Sequence, residues 1–171
     1  MAGKRIDEVV GGKYGTPLQQ YHRDAILDLV LAWASLDGAL TMLVSAHTGE
    51  ELPEAARRLA KLKGTAKLLE IAGVFDEDEQ GTKIARKFRK LKKRYEKHSK
   101  PRNRIAHAHC AGYLLSDEQY LVFAVAEPEG EDGMAIEAIP VEIVHAATEF
   151  EKSLTTFALQ TVDKIWANKP S

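Results

Sequence analysis

Lys83-Ile-Ala-Arg-Lys-Phe-Arg-Lys-Leu-Lys-Lys-Arg-Tyr-Glu-Lys-His-Ser-Lys-Pro-Arg-Asn-Arg-Ile-Ala-His-Ala-His-Cys-Ala-Gly112 is the stretch that sets the fold class. Ile84, Phe88, Leu91 and Tyr95 recur at steps of four, three and four residues, the spacing of one helical face turned to a core. Lys87, Lys90, Arg94 and Lys97 fall off that face. From Lys83 to Arg104 there are twelve Lys or Arg and one acid, Glu96, in a chain whose formal net charge is −1. The positive charge is therefore local, and it marks one helix as a candidate contact surface for a polyanion. Pro101 is expected to break or restart this helix, leaving a short helix around Arg102.

Upstream, Asp76-Glu-Asp-Glu79 supplies acids where the start of this third helix would favour them. A second helix is expected from about Pro53 to Ile71, with Leu59, Leu62 and Leu69 inward, Arg57, Arg58, Lys61, Lys63 and Lys67 outward, and Gly64 weakening its middle. A first, central helix runs from Leu18 to about His47, with Thr16 as N-cap, Pro17 at N1 and Thr48-Gly49 as its stop. Ile26, Leu27, Val30, Trp33, Ala34, Leu36, Leu40, Leu43 and Val44 cover much of its circumference, which suits a core position or a dimer interface.

Downstream of Gly112 the period changes. Tyr113-Leu-Leu115 and Tyr120 to Val125 read as strands around the turn Ser116-Asp-Glu-Gln119, and Met134 to Ile139 reads as a third strand after the acidic loop Glu127 to Gly133. Pro140 opens a last helix with a stripe at Ile143, Ala147, Phe150, Leu154, Phe157, Thr161 and Ile165. These elements predict a mainly α protein: a bundle of four to five helices with a small β-hairpin insert, about 112–139, before the last helix.

A length of 171 residues with 44% apolar content suits one domain with one core, burying roughly 70% of its unfolded surface. We expect 1–15 to be a flexible N-terminal segment and 16–171 a single domain. The N-terminus lacks the apolar region of a signal peptide, and Asp28 and Asp37 interrupt the apolar run Ile26 to Val44, so no membrane partner is expected. With Cys110 as the single cysteine, an internal disulfide is excluded and a cytoplasmic setting is expected.

The chemistry gathers after Pro101. Transesterification of RNA needs a base for the 2′-hydroxyl, an acid for the leaving 5′-oxygen and positive charge at the phosphorane oxygens. Histidine suits both proton transfers and arginine suits the phosphate. Arg102, Asn103 and His107 are therefore the primary candidates, with Arg104 and His109 as secondary ones. Asn103 and His107 share a helical face, whereas Arg102 and His107 are about 140° apart on an ideal helix. Lys87, Lys90, Lys93, Arg94, Lys97 and Lys100 are candidates to hold an RNA backbone.

Plainer readings stand beside these. The cationic run is also what a solvated helix face looks like, and Arg102 with His107 would also serve as a capping network at a helix junction. His98, His107, His109 and Cys110 are metal-ligand types, but on a helix His107 and His109 point nearly opposite ways, and no metal or cofactor is expected. His22, His47 and His145 lie in helical patterns and read as structural. Cys110 lacks an orienting partner for nucleophilic work.

Arg102-Asn103-x-x-x-His107, within a helical bundle, resembles the R-x(4–6)-H motif of the HEPN superfamily, over about Thr16 to Trp166. Arg104 to His109 and Arg102 to His109 satisfy the same spacing, and the polar Asn103 favours Arg102 with His107. The resemblance implies a metal-independent endoribonuclease of toxin or antiviral-defence type, active as a homodimer in which both protomers bring arginine and histidine to one cleft. It implies RNA as partner and a protein or nucleotidyltransferase-type antitoxin as a further one. The subgroup neutralised by nucleotidylation carries a tyrosine two places after the histidine, where this chain has His109. The alternative is a non-catalytic HEPN-like module that binds a nucleotide, a nucleic acid or a protein.

Overall fold

Helical periodicity governs most of the chain, and alternation takes over beyond the Arg/His stretch. The computed structural model describes residues 14–62, 64–76, 81–126 and 134–168. In chain order these form β1 (Tyr14–Gly15), α1 (Gln20–Thr48), α2 (Leu52–Ala60), α3 (Ala66–Asp76), α4 (Thr82–His107), β2 (His109–Leu114), β3 (Tyr120–Ala126), β4 (Met134–Pro140) and α5 (Val141–Ala167). The protein is mainly helical with a small antiparallel sheet of order β1-β2-β3-β4.

The β-region exceeds the expected hairpin. Its third strand is present, and a fourth, β1, comes from Tyr14 and Gly15, inside the segment expected to be flexible; the other residues of that segment lie outside the described residues, as does the acidic loop. Leu121 pairs with Ile139 and Phe123 with Glu137 across β3 and β4, while β2 bulges between Cys110 and Gly112. Gly112 has φ +136°, and a Cβ there would run into the carbonyl oxygen of Gly15, so the bulge requires glycine.

The chain forms two compact units, Met1–Leu31 with Lys100–Glu149 and Ala32–Ser99 with Phe150–Ser171. In the first, Leu121, Phe123, Val125 and Ile139 pack on Ala25, Leu29, Ile105, Ala108, Val141, Val144 and Ala147. Leu114, Val122 and Ala138, with Tyr14, Tyr120 and Ile136, form a separate cluster. The second unit gathers Trp33, Leu36, Leu40, Leu43, Leu59, Ile71, Phe75, Phe88, Tyr95 and Leu154 into its core.

Several boundaries differ from expectation for identifiable reasons. α1 starts at Gln20, not at Thr16-Pro17, and its cap comes from His22: Nδ1 accepts from the Gln19 N–H at 3.3 Å while Nε2 donates to the Glu118 carbonyl at 2.7 Å. A side chain three residues inside thus reaches back to the cap, as glutamate does in a capping box. The expected second helix is two, α2 and α3, because Gly64 takes φ +52°, a left-handed conformation that a right-handed helix cannot carry through. That break resets the helical phase, so Leu68 is buried and Leu69 is exposed. Asp76 closes α3 instead of opening the next helix and forks onto Arg89; residues 77–79 lie outside the described residues.

Pro101 does not break the third of the expected helices: α4 runs through it to His107, absorbing the short helix expected near Arg102. A proline inside a helix loses one backbone hydrogen bond and crowds the preceding turn, at a cost of about 3 kcal/mol. Pro101 is buried, and Ile105 and Ala108 beyond it pack against the sheet cluster, so tertiary burial offsets that cost.

α1 is the described helix long and apolar enough to cross a membrane, but half of its apolar window is buried within the protein. Of its apolar residues, Trp33, Leu36, Leu40, Leu43 and Val44 are buried, whereas Leu27, Val30 and Leu31 stand 54%, 45% and 55% exposed.

Candidate active site at the end of the basic helix

Continuity through Pro101 fixes the angular order of the candidate residues. On one α-helix Asn103 lies one turn before His107 on the same face, Arg104 lies three residues before it, and Arg102 is about 140° away. Arg102 is tied to its neighbour: its Nη1 donates to Asn103 Oδ1 at 3.1 Å. Asn103 thus links the guanidinium to the side of the helix that carries His107. His107 is the last residue of α4 and is exposed to solvent.

Arg104 has a different environment. Its Nε donates to Glu137 Oε2 at 2.6 Å and its Nη2 to Glu137 Oε1 at 2.8 Å, a bidentate fork between α4 and β4. The secondary arginine is therefore already committed to a carboxylate. Glu137 was not among the residues singled out from the sequence. Its signal was a lone acid in the apolar strand segment Met134 to Ile139.

His109 does not share the helix. It opens β2 opposite Ala124, while Cys110 opposes Phe123, so the two residues alternate to opposite faces of the sheet. Cys110 packs with the cluster that includes Ile105 and Phe123. Burial pushes its thiol up, against a smaller opposing effect of a backbone hydrogen bond with Gly112, and the net shift disfavours the thiolate that a nucleophile needs. Among the described residues, no group of three or more His, Cys, Asp or Glu comes together as a metal site.

Of the cations proposed to hold RNA, Lys87, Lys90, Lys93, Arg94 and Lys97 belong to the second unit and Lys100 to the first, and all are exposed. Lys87 Nζ stands 3.4 Å from the centroid of the Phe157 ring, and the Arg94 guanidinium carbon 5.3 Å from that of Phe150. In both, the charged group itself lies over an aromatic face, a cation–π contact on an otherwise exposed side chain. Among the described residues, Lys90, Lys93, Lys97 and Lys100 enter no ion pair with an acid.

His98, one turn before Arg102 on α4, stacks on Phe150 at 4.7 Å with planes 17° apart. Desolvation, then the charges of Lys97 and Arg94, hold its pKa below the ordinary histidine value. Its role is packing. His47 likewise stacks on Phe75 at 4.0 Å and His22 caps α1, as expected of structural histidines, whereas His145 is exposed.

A wide depression of about 550 Å³ in the second unit is lined by Glu50, Glu54, Arg57, Arg58, Lys61, Leu62 and Glu70. Arg58 in it bridges Glu50 at 3.5 Å and Glu70 at 2.6 Å, which leaves little uncompensated charge for a ligand. The end of α4 is chemically richer. It offers a guanidinium for a phosphate, an amide to orient it and an imidazole for proton transfer. Compared with protein-family models, curated proteins and solved structures, the chain matches none.

Proposed function

We propose that this protein is a cytoplasmic, HEPN-like, metal-independent endoribonuclease of toxin or antiviral-defence type. The observation that carries the reading is the Arg102–Asn103 hydrogen bond, which joins a phosphate-binding group to the residue one turn before the exposed His107, at the end of a strongly cationic helix. In the proposed reaction His107 moves a proton, Arg102 neutralises the phosphorane oxygens and Asn103 orients Arg102 or the phosphate. The 2′-oxygen bonds to phosphorus as the bond to the 5′-oxygen breaks. The 2′-hydroxyl proton passes to the base, and the 5′-oxygen takes one from the acid, leaving a 2′,3′-cyclic phosphate and a 5′-hydroxyl.

One protomer supplies one such imidazole, so the reading includes a homodimeric cleft in which a second copy supplies the other. Leu27, Val30 and Leu31, exposed on consecutive turns of α1, support self-association. An antitoxin partner belongs to the same reading. RNA contact falls to the exposed cations of α4, chiefly Lys90, Lys93, Lys97 and Lys100, with little base-specific readout because aromatic side chains near them are packed inward.

The 140° separation of Arg102 and His107 on a continuous helix favours the second reading, a non-catalytic module that binds nucleic acid, nucleotide or protein. Arg102→Ala discriminates. A variant that keeps its thermal transition, its mass in solution and its RNA binding but loses cleavage supports catalysis; one that unfolds assigns Arg102 a structural role.

A further inference from the structure

Glu137 is the acid that meets the Arg/His turn, and it does so from another element. Its two oxygens take both sides of the Arg104 fork, at 2.6 and 2.8 Å, from the centre of β4. Arg104 is itself the acceptor end of the last helical bond: its carbonyl takes the Ala108 N–H at 2.8 Å. His107 lies between these two residues. Beyond it the chain enters β2 almost at once, with a single residue, Ala108, between helix and strand. Pro101, six residues back, lacks the N–H that would bond the carbonyl of Lys97, so the helical ladder is interrupted before this last turn.

We infer that Glu137 is a positioning residue for the proposed ribonuclease site, acting through Arg104 to hold the final turn of α4, and with it His107, in reacting register. The inference rests on the ribonuclease reading. A bidentate arginine–carboxylate pair fixes direction as well as distance, which a single lysine contact would not. It also commits the Arg104 guanidinium to a carboxylate. The pair is partly exposed, with side-chain accessibilities of 40% and 34%, so its contribution to overall stability is small and its removal leaves a folded protein to assay.

The test compares wild type, Glu137→Gln and the reversed pair Arg104→Glu/Glu137→Arg on a short labelled RNA, with amide exchange at Ala108 measured in parallel. Glu137→Gln is expected to lower kcat by about tenfold or more with KM not raised, since misplacing a reacting group by about 1 Å is enough for such a loss. Its Ala108 amide is expected to exchange faster. The reversed pair is expected to return kcat to within about threefold of wild type, as coupled partners do in a double-mutant cycle. A Glu137→Gln enzyme with wild-type kcat, or a loss the reversed pair does not restore, overturns the inference. A wild type that cleaves nothing overturns the ribonuclease reading together with it, so the two failures are told apart by the wild-type lane.

Discussion

His22 is fully buried with both ring nitrogens in hydrogen bonds, one accepting from the Gln19 N–H and the other donating to the Glu118 carbonyl. Tyr21 donates to the same carbonyl at 2.6 Å. His22→Ala removes a cap and strips a partner from a part-buried carbonyl, which together should cost about 2 kcal/mol, read as a lower urea midpoint. His98 gives a prediction with a defined sign. Its folded-state pKa lies below the ordinary value of 6.5, so below that pH the unfolded chain binds the proton more readily than the folded one. Its contribution is therefore complete above about pH 6.5 and is lost as pH falls through the folded value. Between pH 7.5 and 5.0, wild type should lose more urea stability than His98→Gln; equal losses would show that another group dominates acid destabilisation. At this scale the candidate chemistry was legible, since Arg102, Asn103 and His107 are local in sequence. Glu137 was not, because its partner lies 33 residues away and only folding brings them together.

Helix identity was readable wherever a long apolar stripe persisted, as in α1, α4 and α5, and the breaks were harder. Gly64 was visible as a weak point, yet a glycine in sequence does not disclose whether it takes a positive φ. Here it does, so Gly64→Ala should destabilise the protein by about 1–2 kcal/mol, measured by thermal or urea unfolding. Pro101 was misleading in the opposite direction. Its local preference was overruled by burial of the proline and by the packing of Ile105 and Ala108, contacts that a periodicity argument does not contain. The same continuity changed the site: it ended the helix at His107 and put His109 on a strand. β1, two residues long, carries too little alternation to be found from sequence, and it exists because Leu114 and Tyr113 offer it an edge.

At the scale of the molecule, a formal charge of −1 conceals a cationic helix, and it is the helix that should govern RNA binding. Replacing Lys90, Lys93 and Lys97 by Gln should weaken binding and flatten the slope of log affinity against log salt by about 2, roughly 0.7 for each lost phosphate contact. An unchanged slope would place RNA on another surface. On the proposal of a homodimer with a shared cleft, Leu31→Glu, on the exposed apolar turns of α1, should lower the mass seen by light scattering to that of a monomer and take cleavage with it. The central claim is that this chain cuts RNA by proton transfer without a metal, and incubation of purified wild type and His107→Ala with a labelled unstructured RNA in excess EDTA tests it most directly. The account predicts cleavage by wild type alone, with 2′,3′-cyclic phosphate ends, and RNA binding retained by the variant. Intact RNA with wild type, or equal cleavage by both proteins, would contradict it.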